Sequence, residues 1–383
     1  MAPARIAAAR PLRILFLTRY DRLGASSRQR CLLYLEALRA AGIAAEIRPF
    51  LSDAYVRARY AGRPVGRAEI LRFYAARLRA LALLSGYDLV WIEKEALPWM
   101  PAWVERAFLK RARVPVVIDY DDALFHIYDR HPNPLVRRTL GAKIDRVMRA
   151  ADLVIVGNSY LGARARAAGV RAVAELPTVV DLRNYPAPPP RPSGEGRALT
   201  IGWIGSPITS PYLDLLRPAL AALAARIPLR LLLIGAAPAA LAGLPVERVP
   251  WSEGTEAAEI ARCDVGVMPL PDQPWERGKC GYKLIQFMAG ALPVIASPVG
   301  VNCDIVIPGE TGFLAACDAD WVSALSRLHG DPELRRRMGE AGRRRAEQLY
   351  SLRVAAPCFV GLLRQLATAP RLAPDAPPAG ALP

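Results

Sequence analysis

Three histidines, no paired-cysteine motif and no uninterrupted apolar stretch of membrane length are what this 383-residue sequence withholds. With only His126, His131 and His329, and with Cys31, Cys263, Cys280, Cys303, Cys317 and Cys358 in no C-x-x-C spacing, zinc is not expected. The cysteines read as reduced, mostly buried thiols of a cytosolic protein. Residues 284–303 carry no charge, but Gly290, Pro293, Pro298 and Gly300 break the run, so a helix followed by a strand is expected there rather than a bilayer span. Residues 1–11 hold arginines without a continuous apolar stretch, and no secretory leader is expected. No G-x-G-x-x-G fingerprint occurs, which weakens a dinucleotide reading. No RNP1-type motif occurs, and nucleic acid is not an expected partner. Acidic side chains are also the minority, 35 against 51 basic ones, for a net charge of +16. Such a balance implies an anionic partner or surface: a nucleotide-bearing substrate, an acidic membrane face or, against the missing motif, nucleic acid. High arginine beside high alanine also follows from genomic base composition.

What is present is a rhythm. Short apolar strand candidates alternate with helical stretches: 13–18, 45–49, 89–92, 115–118, 153–156 and 173–176, then 200–204, 229–234, 246–249, 265–268, 294–296 and 312–314. This alternation predicts parallel sheets with crossover helices, made twice. A Pro/Gly linker at 186–196 divides an N-terminal unit, 12–185, from a C-terminal one, 197–345. A helix over 346–366 is expected to pack back on the first unit, and 367–383 to be a disordered tail. Ligands of open parallel sheets sit beyond the carboxyl ends of the strands, so two such units facing each other enclose a cleft.

The most informative segment is Pro274–Gly300. Gly278, Lys279, Cys280, Gly281, Tyr282 and Lys283 form a turn that opens a helix expected to stop at Gly290. Free N–H groups at a helix start, beside two ammonium groups, suit a diphosphate. With a start near Gly281, Lys279, Lys283 and Gln286 share one face, and Leu284, Phe287 and Met288 face the core. After the first strand, Gly24 allows close approach of a ligand, and Arg28 and Arg30 lie in the next helix, as anion contacts or as solvated arginines. Asp119-Tyr-Asp121-Asp122 follows the strand at 115–118. Carboxylates crowded there are costly unless paired or functional, and hydrogen bonding to sugar hydroxyls, a short Asp-x-Asp metal pattern and an N-cap are the three readings. Glu93-Lys-Glu95 lines the same cleft or forms a solvated loop, and Asn158 and Ser159 after the strand at 153–156 read as a helix N-cap. In the second unit Gly205 and Ser206, ahead of a helix expected over 212–223, offer N–H and hydroxyl groups to a phosphate, or simply a tight turn. Val249 and Trp251 offer a carbonyl and a ring to a nucleobase, or a core tryptophan. Basic helices interleaved with Tyr55, Tyr60, Phe73, Trp99, Trp103 and Phe108 suit an acidic bilayer, or are solvated faces.

Taken in order, Arg13–Gly24, Val116–Asp122, Asp152–Ser159, Pro177–Asp181, Ile201–Ser206, Leu231–Gly235, Gly278–Ser297 and Gly309–Leu314 resemble the family 4 glycosyltransferases over nearly all of 12–365. Met288-Ala-Gly-Ala-Leu-Pro-Val-Ile-Ala-Ser297 carries the most specific part. The resemblance implies an α/β GT-B fold of two Rossmann-like doubly wound domains facing across a cleft. It also implies transfer of a sugar from a nucleotide-diphosphate donor with retention, with no cofactor or catalytic metal. The acceptor would be a glycan or a lipid-linked sugar, in polysaccharide assembly at the cytoplasmic membrane face. The family's two glutamates, eight positions apart, fall here on Gly278 and Gln286. Gln286 still suits ribose hydroxyls, and Glu276 is the substitute candidate for the first. The family's basic pair is missing from 205–212, a role passed to Lys279 and Lys283. The family's usual histidine aligns with Asp121. A branch with a similar Gly-Lys-Cys…Lys…Gln helix fits these departures. The resemblance thus implies Asp121, Asp122, Lys279 and Lys283 as catalytic groups, and Arg28, Arg30 and Glu93 on the acceptor or membrane side. A non-catalytic sugar-nucleotide-binding protein of the same fold is the alternative.

Overall fold

The computed structural model describes residues 10–186 and 197–368, so nearly all of the linker 186–196 and of the tail 367–383 lies outside the described residues. The first unit is a six-stranded parallel sheet of Leu12–Leu17 (β1), Ile43–Ile47 (β2), Leu89–Glu93 (β3), Val116–Tyr120 (β4), Leu153–Val156 (β5) and Val173–Glu175 (β6), in the order β2-β1-β3-β4-β5-β6. The second is built from Leu199–Ile204 (β7), Leu229–Ile234 (β8), Val246–Val249 (β9), Val265–Met268 (β10), Val294–Ala296 (β11) and Gly312–Leu314 (β12), in the order β12-β11-β10-β7-β8-β9. Each strand run that the sequence offered is a strand here. Helices cover both faces of each sheet, which is why β3, β4, β5, β7 and β10 are buried along their whole length.

In each sheet the chain winds outward, then returns to the other side of its first strand. The reversal falls between β1 and β3 in one sheet and between β7 and β10 in the other. A reversal opens a crevice at the carboxyl edge, and the two crevices face each other.

Two local expectations are corrected. The helix expected over 212–223 is a 3-10 turn, Ser210–Leu216, followed by an α-helix, Arg217–Ala224. Pro218 lacks the N–H for a bond to the preceding turn and fits only the first turn of a new helix. The thiols are not mostly buried: Cys31, Cys263 and Cys280 are, but Cys303, Cys317 and Cys358 are exposed. The uncharged stretch 284–303 is divided among the helix Tyr282–Ala289, β11, the start of the short helix Asn302–Ile305 and the turns between them, and no helix among the described residues is long and apolar enough to cross a membrane.

The chain ends by returning to its start. After Leu352 N donates to Val180 O at 2.8 Å, the helix Leu352–Thr368 lays Ala355, Ala356, Phe359 and Leu363 on the first unit's core with Ile14, Phe16, Leu89 and Trp91. Phe359 sits 4.5 Å, ring to ring, from Tyr34. Because Phe359 is wholly buried, Phe359→Ala should cost about 3–5 kcal/mol, read as a lowered denaturation midpoint. A loss under about 1 kcal/mol would mean that the helix docks weakly.

Candidate active site

At the first sheet's edge, the carboxylates are handled in different ways. Asp119 accepts two bonds from Arg30, each 2.8 Å, and Arg30 also donates to Leu176 O at 2.7 Å. Both residues are almost fully buried. Arg30, expected on the acceptor side, therefore spends its donors inside the fold and does not line the cleft, while Asp119 has both oxygens taken.

Asp121 and Asp122 emerge past the end of β4. Lys94, just after β3, turns back in a left-handed conformation (φ 65°). It places its ammonium 2.9 Å from Asp121 and 3.2 Å from Asp122, within 3.0 Å of Ser26 Oγ. Ser26 also donates to Asp121. Burial pushes the Asp121 carboxyl up, but Lys94 and the Ser26 hydroxyl outweigh it and hold it below the ordinary value. Glu93 is buried beneath, accepting from Arg19 N at 2.8 Å and Ser27 Oγ at 2.5 Å, and burial raises it. The segment Glu93–Glu95 is thus buried, not a solvated loop. Glu95 lies deeper, with Arg19 at 3.0 Å and Lys143 at 2.5 Å.

Across the cleft, Gly281 (φ 64°) turns the chain into the helix Tyr282–Ala289. A left-handed residue there aims the following amides outward. The N–H groups of Gly281, Tyr282 and Lys283 find no acceptor among the described residues. Lys279 lies 3.5 Å from Asp122 and over the Trp275 ring. The Lys283 ammonium stands 5.2 Å above the ring of Trp203, the penultimate residue of β7. Burial and neighbouring Lys279 push Lys283 down to about 7, against Asp122, which raises it. Leu284, Phe287 and Met288 are fully buried beneath.

The two units meet closely at this turn. A Cβ on Gly278 would stand 2.5 Å from Ala123 Cβ and 2.7 Å from Ala123 N, so position 278 has no room for a side chain. Cys280 fits beside Gly157, where a Cβ would meet its sulfur at 2.2 Å, and its thiol donates to Asp121 O at 3.2 Å. Burial pushes that thiol up, which keeps it neutral. Asn158 caps the following helix through Leu161 N at 3.0 Å and donates to Lys279 O at 2.9 Å. Its capping role was legible. Its reach across the cleft was not, because the partners are far apart in sequence.

The remaining expected residues line the adjoining wall. Arg28 lays its guanidinium 4.4 Å over Trp251, whose indole N–H donates to Glu256 at 2.8 Å. Tyr185 donates to Glu256 at 3.1 Å and accepts from Gln286 at 3.1 Å. Glu276 accepts from Tyr212 OH, which directs it to its own unit. Three expected donor contacts are engaged within the fold. The Gly205 N–H donates to Ile234 O at 3.0 Å and the Ser206 N–H to Thr209 Oγ1 at 3.2 Å, while the Val249 carbonyl accepts from Gly235 at 2.8 Å. Gly24 packs on Tyr20. Tyr185, Tyr212 and Glu256 escaped the sequence reading, and Lys94 was read only as part of Glu93-Lys-Glu95, lining the cleft or in a solvated loop. A lysine within Glu-Lys-Glu was the one available signal.

Residues 198–331 match the family described as Glycosyl transferases group 1. A comparison with curated proteins gives no match. Among solved structures, sucrose-phosphate synthase from Thermosynechococcus elongatus superposes with a TM-score of 0.67 at 20% identity, covering 93% of this chain and 99% of its own. Anabaena HepE, solved with UDP and glucose, gives 0.67 at 17%, covering 92% and 100%. The lipopolysaccharide outer core galactosyltransferase WaaB gives 0.57 at 13%, covering 93% and 99%. These likenesses establish the GT-B fold. With the matched domain on that fold, the chain is a glycosyltransferase.

Proposed function

We propose that the protein transfers a sugar from a nucleotide-diphosphate donor to a glycan or lipid-linked acceptor, with retention and without a metal, in polysaccharide biosynthesis at the cytoplasmic membrane face. One observation carries this reading: three free amides at the start of the helix Tyr282–Ala289 converge with Lys279 and Lys283 on one cleft, opposite Asp121 and Asp122. Departure of a nucleoside diphosphate builds negative charge, and this corner is where donors aimed at such charge already stand. HepE, of the same fold, was solved with UDP-glucose, which favours a donor of that class. Asp121 and Asp122 face the sugar, where a carboxylate stabilises oxocarbenium-like charge. Arg28, stacked on Trp251, and the chain Gln286–Tyr185–Glu256 suit the base and ribose. Domain closure at Gly278 excludes water and so limits hydrolysis.

Thermal-shift screening against uridine, guanosine, adenosine and thymidine diphosphates and their sugars tests this reading. One base series should raise the melting temperature. Turnover of the matching sugar nucleotide with acceptor extract should then persist in a chelator, and activity restored only by manganese would return the Asp-x-Asp metal reading. Tight nucleotide binding without turnover of any donor would favour a non-catalytic binding protein, a reading that Gly278 and the engaged amides of Gly205 and Ser206 also suit.

A further inference from the structure

Lys279 already holds an anion. Its ammonium lies 3.5 Å from Asp122, which belongs to the opposite unit. The other Asp122 oxygen is 3.2 Å from Lys94, but Lys94 is closer to Asp121, at 2.9 Å, and is itself buried. The Asp122 side chain keeps 26% of its surface and faces the cleft. Its position follows from the contact between Gly278 and Ala123, which sets the two turns side by side with no side chain between them. Lys283, the second ammonium of the corner, has no carboxylate at ion-pair distance among the described residues. A diphosphate set on the amides of Gly281–Lys283 therefore arrives beside one open ammonium and one engaged by a carboxylate. Asp122 and the phosphates are like charges competing for one cation.

We propose that Asp122 is the resident counter-ion of Lys279 in the empty protein, displaced when the donor's diphosphate takes Lys279 over. The inference rests on the donor reading above and adds how that site is regulated. Released from Lys279, Asp122 stays tethered by Lys94 and turns a free oxygen to the sugar and acceptor side. The donor is then the first substrate to bind, because it is what frees the carboxylate. After transfer, the same carboxylate competes the nucleoside diphosphate off Lys279 and speeds its release.

Calorimetric titration of uridine, guanosine, adenosine and thymidine diphosphates into four proteins tests the exchange: wild type, Asp122→Asn, Lys279→Met and the double variant. Asp122→Asn should tighten binding of the responding diphosphate about tenfold when Lys279 is present and leave it unchanged when Lys279 is methionine. Equal tightening in both backgrounds would reduce Asp122 to a general repulsive charge and overturn the exchange, as would unchanged or weaker binding by Asp122→Asn. Asp122→Ser replaces it if the asparagine variant fails to fold by circular dichroism. Wild type that binds none of the four diphosphates at millimolar concentration would overturn the donor reading itself, and this inference with it. Binding without the Asp122 effect overturns this inference alone.

Discussion

Lys283→Ala should lower turnover of the sugar nucleotide about 10²-fold, the size seen when one charge-stabilising donor is removed. Lys283 stands over Trp203 with no carboxylate at ion-pair distance among the described residues, and burial and the Lys279 charge push it down to about 7. An ammonium so poorly compensated is costly at rest and valuable once an anion arrives. The sign of the pH dependence follows. In the unfolded chain Lys283 keeps its proton up to about 10.5, in the fold only up to about 7. Between those values the unfolded chain binds more protons, so this group makes the fold more stable as pH rises from 7 and less stable as pH falls back toward it. A bound diphosphate raises the folded value again. Nucleoside diphosphate binding at pH 8 should then take up nearly one proton, measurable by calorimetry in buffers of different ionisation enthalpy, and Lys283→Met should abolish the uptake. A folded Lys283→Ala enzyme with unchanged kinetics would remove Lys283 from the site.

Gly278→Ala should cost a similar factor in turnover, for a geometric reason. The added methyl would stand 2.5 Å from Ala123 Cβ and 2.7 Å from a backbone nitrogen, which cannot swing away as a flexible side chain can. The two turns must separate, and with them Lys279 and Asp122, Cys280 and Gly157, Asn158 and the Lys279 carbonyl. Separation of about 1 Å at a catalytic interface costs on the order of 10²-fold. Each unit has its own core, so melting of the fold should shift little while small-angle scattering shows a more open particle. A fully active Gly278→Ala enzyme would show that catalysis does not pass through this contact.

Much of the scaffold was legible because its signals are local. Runs such as Leu153–Val156 and Leu229–Ile234 are strands in the structure at the boundaries the sequence suggested, since a doubly covered parallel strand must be apolar on both faces. Gly281 announced the helix start for an equally local reason: few residues other than glycine take φ near 64° at ease. The apolar pattern over 212–223 is also local, yet Pro218 divides it into a 3-10 turn and a new helix. The site was legible in outline only. Asp119 and Asp121 look alike in sequence, yet one is sealed against Arg30 and the other meets Lys94 and Ser26. Lys94, in an alternating charge run typical of solvated loops, is buried because β3 and β4 are neighbours and both edges point into the cleft.

What the amino-acid sequence determined by itself is the pair of doubly wound units, the amide-rich helix start and its two lysines, because hydrophobic period and backbone preference act over a few residues. Which charges are free and which are spent was decided only in the tertiary structure. Ion pairs such as Arg30–Asp119 and Lys279–Asp122, and the contact of Gly278 with Ala123, join residues far apart in the chain. The energy of a charge depends on the burial and the partner that folding brings to it, and neither is written at its own position.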